Sequence, residues 1–113
     1  MTIRAYKPDS DFEAVLRIWL EVGWIEKGND DQTEGLKVFA EQYRGLVAEL
    51  DGSPECYVAT GAGTIRHTGT DLSLSAVTAV TTSHIARRQG LAQRLTARGI
   101  AQDAVSYTHL TLP

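Results

Sequence analysis

The chain is poor in several things at once. Its 113 residues include one cysteine, three prolines and three histidines. A lone Cys56 excludes an internal disulfide and a cysteine-only zinc site. No apolar run reaches the ~18 residues that a membrane span needs. No apolar signal core follows Met1-Thr2-Ile3-Arg4, so the cytoplasm is the expected compartment. No repeat at a fixed period is visible. What is present is 42% hydrophobic and 22% charged residues, the composition of one globular domain.

The net charge of −3 is unevenly spread. Residues 1–83 hold seven Lys/Arg against thirteen Asp/Glu, a balance of −6. Residues 84–113 hold Arg87, Arg88, Arg94 and Arg98 against Asp103 alone, a balance of +3. Nucleic-acid binding wants a broad basic face, so an acidic body with one small basic patch argues against it. The pattern suits a small anionic ligand held at one spot. Neither nucleic acid nor membrane is an expected partner.

Periodicity gives the element order. Ile3 and Ala5 alternate with Arg4 and Tyr6, which predicts a first strand over 2–6. Ser10 with Glu13 has the spacing of a capping box. Phe12, Val15, Leu16, Trp19 and Leu20 then follow at helical spacing to about Val22, and Gly23 is a natural stop. After a loop over 24–32, Thr33 is the expected cap of a second helix with Leu36, Phe39, Ala40 and Tyr43 on its apolar face. Residues 45–50 could extend that helix, since Leu46, Val47 and Leu50 keep its period, but they read better as a strand because Asp51-Gly52 is a hairpin signal before a long strand over 55–67. Gly61 and Gly63 inside that strand suggest a bulge or bend. Thr68 to Asp71 turns the chain into a strand over 72–82, and a polar loop over 83–89 leads to a third helix from about Gly90. Leu91, Leu95 and Ile100 are its expected buried face. The order is β-α-α-β-β-β-α, an α/β class with antiparallel hairpins.

The informative stretch is 76–92, where a strand runs into a loop and the loop opens a helix at Arg87-x-x-Gly90-x-Ala92. The first turn of a helix has four unpaired N–H groups and the positive end of the dipole. Gly90 lets phosphate oxygens approach the backbone, Ala92 keeps the next turn small, and Arg87 and Arg88 add full charge. This is neither the dinucleotide Gly-x-Gly-x-x-Gly fingerprint nor a P-loop. Six residues of this kind also suit an ordinary solvated arginine-rich face. The strand before them and the local basic charge favour an anion cradle.

The segment resembles motif A of the GNAT superfamily of acyl-CoA N-acyltransferases, Gln/Arg-x-x-Gly-x-Gly/Ala. Val77-Thr78-Ala79-Val80 with Arg87-Arg88-Gln89-Gly90-Leu91 is similar to the enhanced-intracellular-survival (Eis-like) group in particular. The opening Thr-Ile-Arg-Ala strand and its amphipathic helix fit the same superfamily, and the likeness spans residues 2–104. Relatives usually carry Pro where His84 stands. The resemblance implies acetyl-CoA as co-substrate, no metal, and direct transfer to a primary amine of a small molecule or peptide. It implies that the backbone of Val80, Thr81 and Thr82 meets the pantetheine arm and thioester. It implies that Arg87, Arg88, Gln89, Gly90, Leu91, Ala92 and Gln93 hold the pyrophosphate. Trp24 and Glu26 fall in the loop that lines the acceptor site in that superfamily, where a ring face and a carboxylate suit an amine; ordinary packing is the simpler reading of both. The strand over 72–82 has no Asp or Glu to act as base, and the superfamily's proton-donating tyrosine has no counterpart before residue 104. The catalytic residues and the oligomeric state stay unassigned.

Residues 105–113 carry no charge and read as the translation of a common transposon-based sequencing adapter. On that reading residues 1–104 are the N-terminal part of a GNAT domain, 105–113 are a non-native tail, Tyr107 is no catalytic residue, and the chain by itself is inactive. A natural β-strand is the alternative for this segment. Two other functions stay open for the whole: a non-catalytic acyl-CoA-binding module on the same fold, and an unrelated α/β interaction domain with a helix-capped anion site.

Overall fold

A computed structural model describes the backbone of residues 1–111 and the side chains of residues 1–104. The adapter-like segment 105–113 therefore lies outside the residues described with side chains. The elements are β1 (Thr2–Ala5), α1 (Pro8–Glu21), α2 (Asp30–Gln42), β2 (Arg44–Leu50), β3 (Ser53–His67), β4 (Thr70–Thr82), a short 3-10 turn (His84–Ala86) and α3 (Leu91–Thr111). The expected β-α-α-β-β-β-α order is present. The four strands form one antiparallel sheet in the order β1-β2-β3-β4.

Two tight hairpins set the registers. Asp51 and Gly52 have φ of 51° and 79°, and Thr68 and Gly69 have φ of 47° and 79°. Positive φ at both central residues is the type I′ turn, whose twist matches that of the flanking strands. Leu50 thus pairs with Ser53, and His67 with Thr70.

The sheet is a middle layer. One face carries Val47, Tyr57, Ala59 and Ala79 against Val15, Ile25 and Leu36 from the α1/α2 side. The other carries Leu46, Ala48, Cys56 and Val58 against Ala86, Leu91 and Leu95. Burial on both faces explains the apolar run over 45–48 in the middle of β2.

Three local expectations are corrected. The capping box at Ser10 and Glu13 is not the helix start. Pro8 opens α1 with Lys7 as N-cap, since the missing N–H of Pro is harmless in the first turn. The Asp11 carboxylate accepts the Lys7 N–H at 2.8 Å instead. Thr33 does not cap α2 either. Asn29 does, its side chain accepting the Gln32 N–H at 3.0 Å. Ile100 is exposed; α3 turns Leu91, Leu95, Gly99 and Asp103 inward, spaced by four residues.

The bulge is also elsewhere. Gly61 and Gly63 pair regularly with Ala76 and Leu74. Gly61 is small because of packing: a Cβ there would lie 2.7 Å from the Tyr43 ring. The register shifts instead between Tyr57 and Ala59. Tyr57 faces Thr81 and Ala59 faces Thr78, so Ala79 and Val80 together oppose Val58. Ala79 has φ 55°, a left-handed conformation that a bulge imposes.

Candidate functional site: a cleft at the end of the fourth strand

The bulge, the turn after β4 and the first turn of α3 converge on one cleft of about 560 Å³. Val80, Thr81 and Thr82 line it from β4, Ala86, Arg87, Arg88 and Gly90 from the loop, and Leu91, Ala92 and Gln93 from α3. Val22 and Trp24, just past the end of α1, form the opposite wall. The volume is that of a small-molecule site.

The backbone on the loop side is unusual. Arg88 and Gly90 both have positive φ, 66° and 72°. A non-glycine residue in that region costs about 1–2 kcal/mol. Gly90 is the residue before α3, and its carbonyl accepts the Arg94 N–H at 3.1 Å, the first bond of the helix. The N–H groups of Leu91, Ala92 and Gln93 therefore have no partner within the helix. A Cβ built on Gly90 would meet nothing within 4 Å, so the space beside these amides is open.

Electrostatics favour an anion there. Arg87 and Arg88 are exposed, and neither forms an ion pair among the described residues. No Asp, Glu, His, Tyr or Cys is among the described residues lining the cleft. Cys56 lies behind Thr82, with Sγ 3.4 Å from Thr82 Oγ1 and no exposed surface. Burial pushes its thiol pKa up, so it is no thiolate nucleophile. Tyr57 is also fully buried, its hydroxyl has no partner among the described residues, and burial raises its pKa. It packs edge-on to Tyr6, in the core cluster on the α1/α2 face.

Nine of the ten residues expected to hold the donor line this cleft. Gln89 does not: it is exposed, and its Nε2 donates to the Ile85 carbonyl at 3.5 Å. The two expected acceptor residues are separated. Trp24 is half exposed at the cleft and packs edge-on against Trp19 at 5.2 Å. Glu26 lies outside the lining, in a shallow groove shared with residues 27–31, and its N–H donates to Gln32 Oε1 at 2.6 Å. Sequence reasoning missed Val22 and Ala86. It also missed the bulge position, although the crowding of Val77, Ala79 and Val80 after strict alternation was its signal.

No protein-family model matches the chain, and no curated protein matches it. Solved structures do. A GCN5-related N-acetyltransferase from Ralstonia eutropha JMP134 superposes with a TM-score of 0.68 at 21% identity, over 93% of this chain and 76% of that one. Ribosomal-protein-alanine N-acetyltransferase from Brucella melitensis biovar Abortus 2308 gives 0.70 at 18% identity, over 96% and 75%. A GNAT family acetyltransferase from Brucella melitensis, solved in complex with acetyl-CoA, gives 0.66 at 19% identity, over 89% and 66%. The chain has the fold of GNAT acetyltransferases. At these identities the likeness is one of fold.

Proposed function

We propose that this chain is the acyl-donor part of an acetyl-CoA-dependent N-acetyltransferase that acetylates a primary amine. One observation carries the reading. A strand bulge, open helix-start amides and two arginines without carboxylate partners among the described residues converge on one cleft. Acetyl-CoA is a dianionic diphosphate joined to a thioester through an arm rich in amides, and the cleft offers complements in that order. Amides of Leu91, Ala92 and Gln93 face the diphosphate, with Arg87 and Arg88 adding charge. Each charge-assisted N–H bond is worth ~1.5–3 kcal/mol, so three or four support micromolar binding after losses. The exposed edge of β4 at Val80 to Thr82 offers backbone pairing to the arm. The bulge takes one amide out of the ladder, and that N–H would polarise the thioester carbonyl. When bound, the donor supplies an acyl group activated toward attack by an amine. Trp24 offers its ring face to the acceptor. The Eis-like assignment within this fold rests on residues 77–80 and 87–91 alone.

A second reading is favoured by the chemistry of the lining. A transferase must take a proton from the amine and give one to the thiolate. No side chain suited to either task is among the described residues of the cleft. We therefore expect residues 1–113 alone to bind without turnover, as a non-catalytic module would. Calorimetric titration with CoA, dephospho-CoA and inorganic phosphate tests binding. Saturable micromolar binding of both CoA forms, with weak phosphate binding, is expected; no saturable CoA binding overturns both readings. Measurable acetyl transfer to a panel of primary amines by residues 1–113 overturns the second reading and the expectation of inactivity.

A further inference from the structure

Glu21 is the last residue of α1, and the last turn of that helix has no basic residue. A carboxylate is disfavoured at the negative end of a helix dipole. The partners of Glu21 are His84 beyond the helix and Arg17 one turn back within it. Its Oε1 accepts the backbone N–H of His84 at 2.5 Å and lies 3.5 Å from His84 Nδ1. Its Oε2 lies 3.6 Å from an Arg17 guanidinium nitrogen. Three-quarters of the Glu21 side chain is covered.

Arg17 extends the tie. It donates to both Glu55 carboxylate oxygens, at 3.1 and 3.2 Å, and to the Pro54 carbonyl at 3.2 Å. The Glu55 carbonyl in turn accepts the Ser83 N–H at 2.8 Å. Two successive amides, Ser83 and His84, are thus held by separate acceptors that Arg17 links. The Ser83 hydroxyl is buried and has no partner among the described residues. These two residues begin the turn that delivers Arg87, Arg88 and Gly90 to the cleft. On the other side, α1 runs from Glu21 straight into Val22 and Trp24, the opposite wall.

We propose that Glu21 is a positioning residue: by capping the His84 amide it fixes the donor-side wall of the cleft to the α1 wall. This rests on the acyl-donor reading of the cleft. Glu21 itself does not line the cleft. Its effect is preorganisation, holding the loop so that binding does not have to order it.

The test uses the whole chain and three variants. Glu21→Ala removes the acceptor. Glu21→Gln keeps an acceptor oxygen and loses the charge. His84→Pro removes both the N–H and the imidazole that face Glu21 and leaves Glu21 and Arg17 in place. CoA affinity is read by calorimetry and amide exchange by mass spectrometry, with Tm alongside. Glu21→Ala and His84→Pro should weaken CoA binding about fivefold, the scale expected for a lost ordering contact, and speed exchange over residues 83–90 only. Glu21→Gln should return to within about twofold of the parent. Unchanged exchange over 83–90, faster exchange spread over the sheet, or failure of Glu21→Gln to rescue each overturns the proposal. If the parent chain binds no CoA, the acyl-donor reading falls. The exchange arm still decides whether Glu21 holds the loop.

Discussion

The two ends of the sheet treat charge in opposite ways. At the β1–β2 end, the Arg4 guanidinium bonds both Asp11 oxygens, at 2.6 and 2.7 Å, and Glu49 at 2.7 Å. Elsewhere, Arg17 and Arg44 also have carboxylates, in Glu55 and Asp103. At the cleft, Arg87 and Arg88 have none among the described residues. The backbone differs in the same sense. Positive φ in the body falls in turns and loops, whereas at the cleft it falls on Ala79, Arg88 and Gly90, at a bulge and a helix start. Where charge and dihedrals are satisfied, residues specify the fold. Where strained backbone and exposed charge gather in a concave place, the proposed ligand would supply contacts that the fold itself does not.

The sharpest way to break this comparison is at Asp11. It is 1% exposed and accepts from Arg4 and from the Lys7 N–H. Asp11→Ala leaves the Arg4 guanidinium without its main partner and should cost about 3 kcal/mol. In a domain of this size that lowers Tm by roughly 10–20 °C. CoA affinity of the folded protein should stay unchanged. Lost affinity with an unchanged Tm would mean that the two ends are not separate. The same pair predicts an acid limit. The Arg4 hydrogen bond, helped by the Lys7 N–H and opposed by burial, holds the Asp11 carboxyl below its usual range. A lowered folded pKa stabilises above the unfolded value and is lost as pH falls through the folded one. Stability should therefore drop below about pH 4, and Asp11→Ala should flatten that part of an acid-unfolding curve.

Gly90 comes next. Any side chain at φ 72° is strained, by about 1–2 kcal/mol. Its Cβ would enter open space beside the α3 amides and clash with nothing. Gly90→Val should lower Tm by roughly 5–10 °C and weaken CoA at least about tenfold, since a branched side chain would occupy the phosphate approach. Here affinity should fall further than stability, the reverse of Asp11.

Those contrasts also show what could be read in advance. The element order was legible because most segments keep one period and the chain turns at Gly23, Asp51-Gly52 and Gly69. The starts of α1 and α2 were not, because two signals competed within a few residues; the start of α3 after Gly90 was. Pro8 and Asp11 outranked Ser10 and Glu13, and Asn29 outranked Thr33. The donor side of the cleft was legible because residues 80–82 and 87–93 form two runs around one turn. Val22, Ala86 and the Glu21–His84 tie were not. They meet only after α1 crosses the sheet, and no local pattern records that crossing. On α3, Leu91 and Leu95 are buried as expected; only Ile100 was misplaced, because Gly99 approaches the sheet instead.

The smallest effect on stability, and the finest test, concerns the arginines themselves. Arg87, Arg88, Arg94 and Arg98 are all exposed, and none has an ion pair among the described residues. Unpaired charge alone would make them equivalent. Geometry does not, because only Arg87 and Arg88 line the cleft. Replacing Arg87 and Arg88 together by Ala should move stability by no more than about 0.5 kcal/mol. It should weaken CoA about tenfold and flatten the dependence of affinity on salt, because two charges no longer face the phosphates. The paired replacement of Arg94 and Arg98 removes the same net charge from the same helix region and should change CoA affinity less than about twofold. Equal losses from the two double variants would mean that a diffuse basic field attracts the ligand. Unequal losses would mean that the cleft holds it.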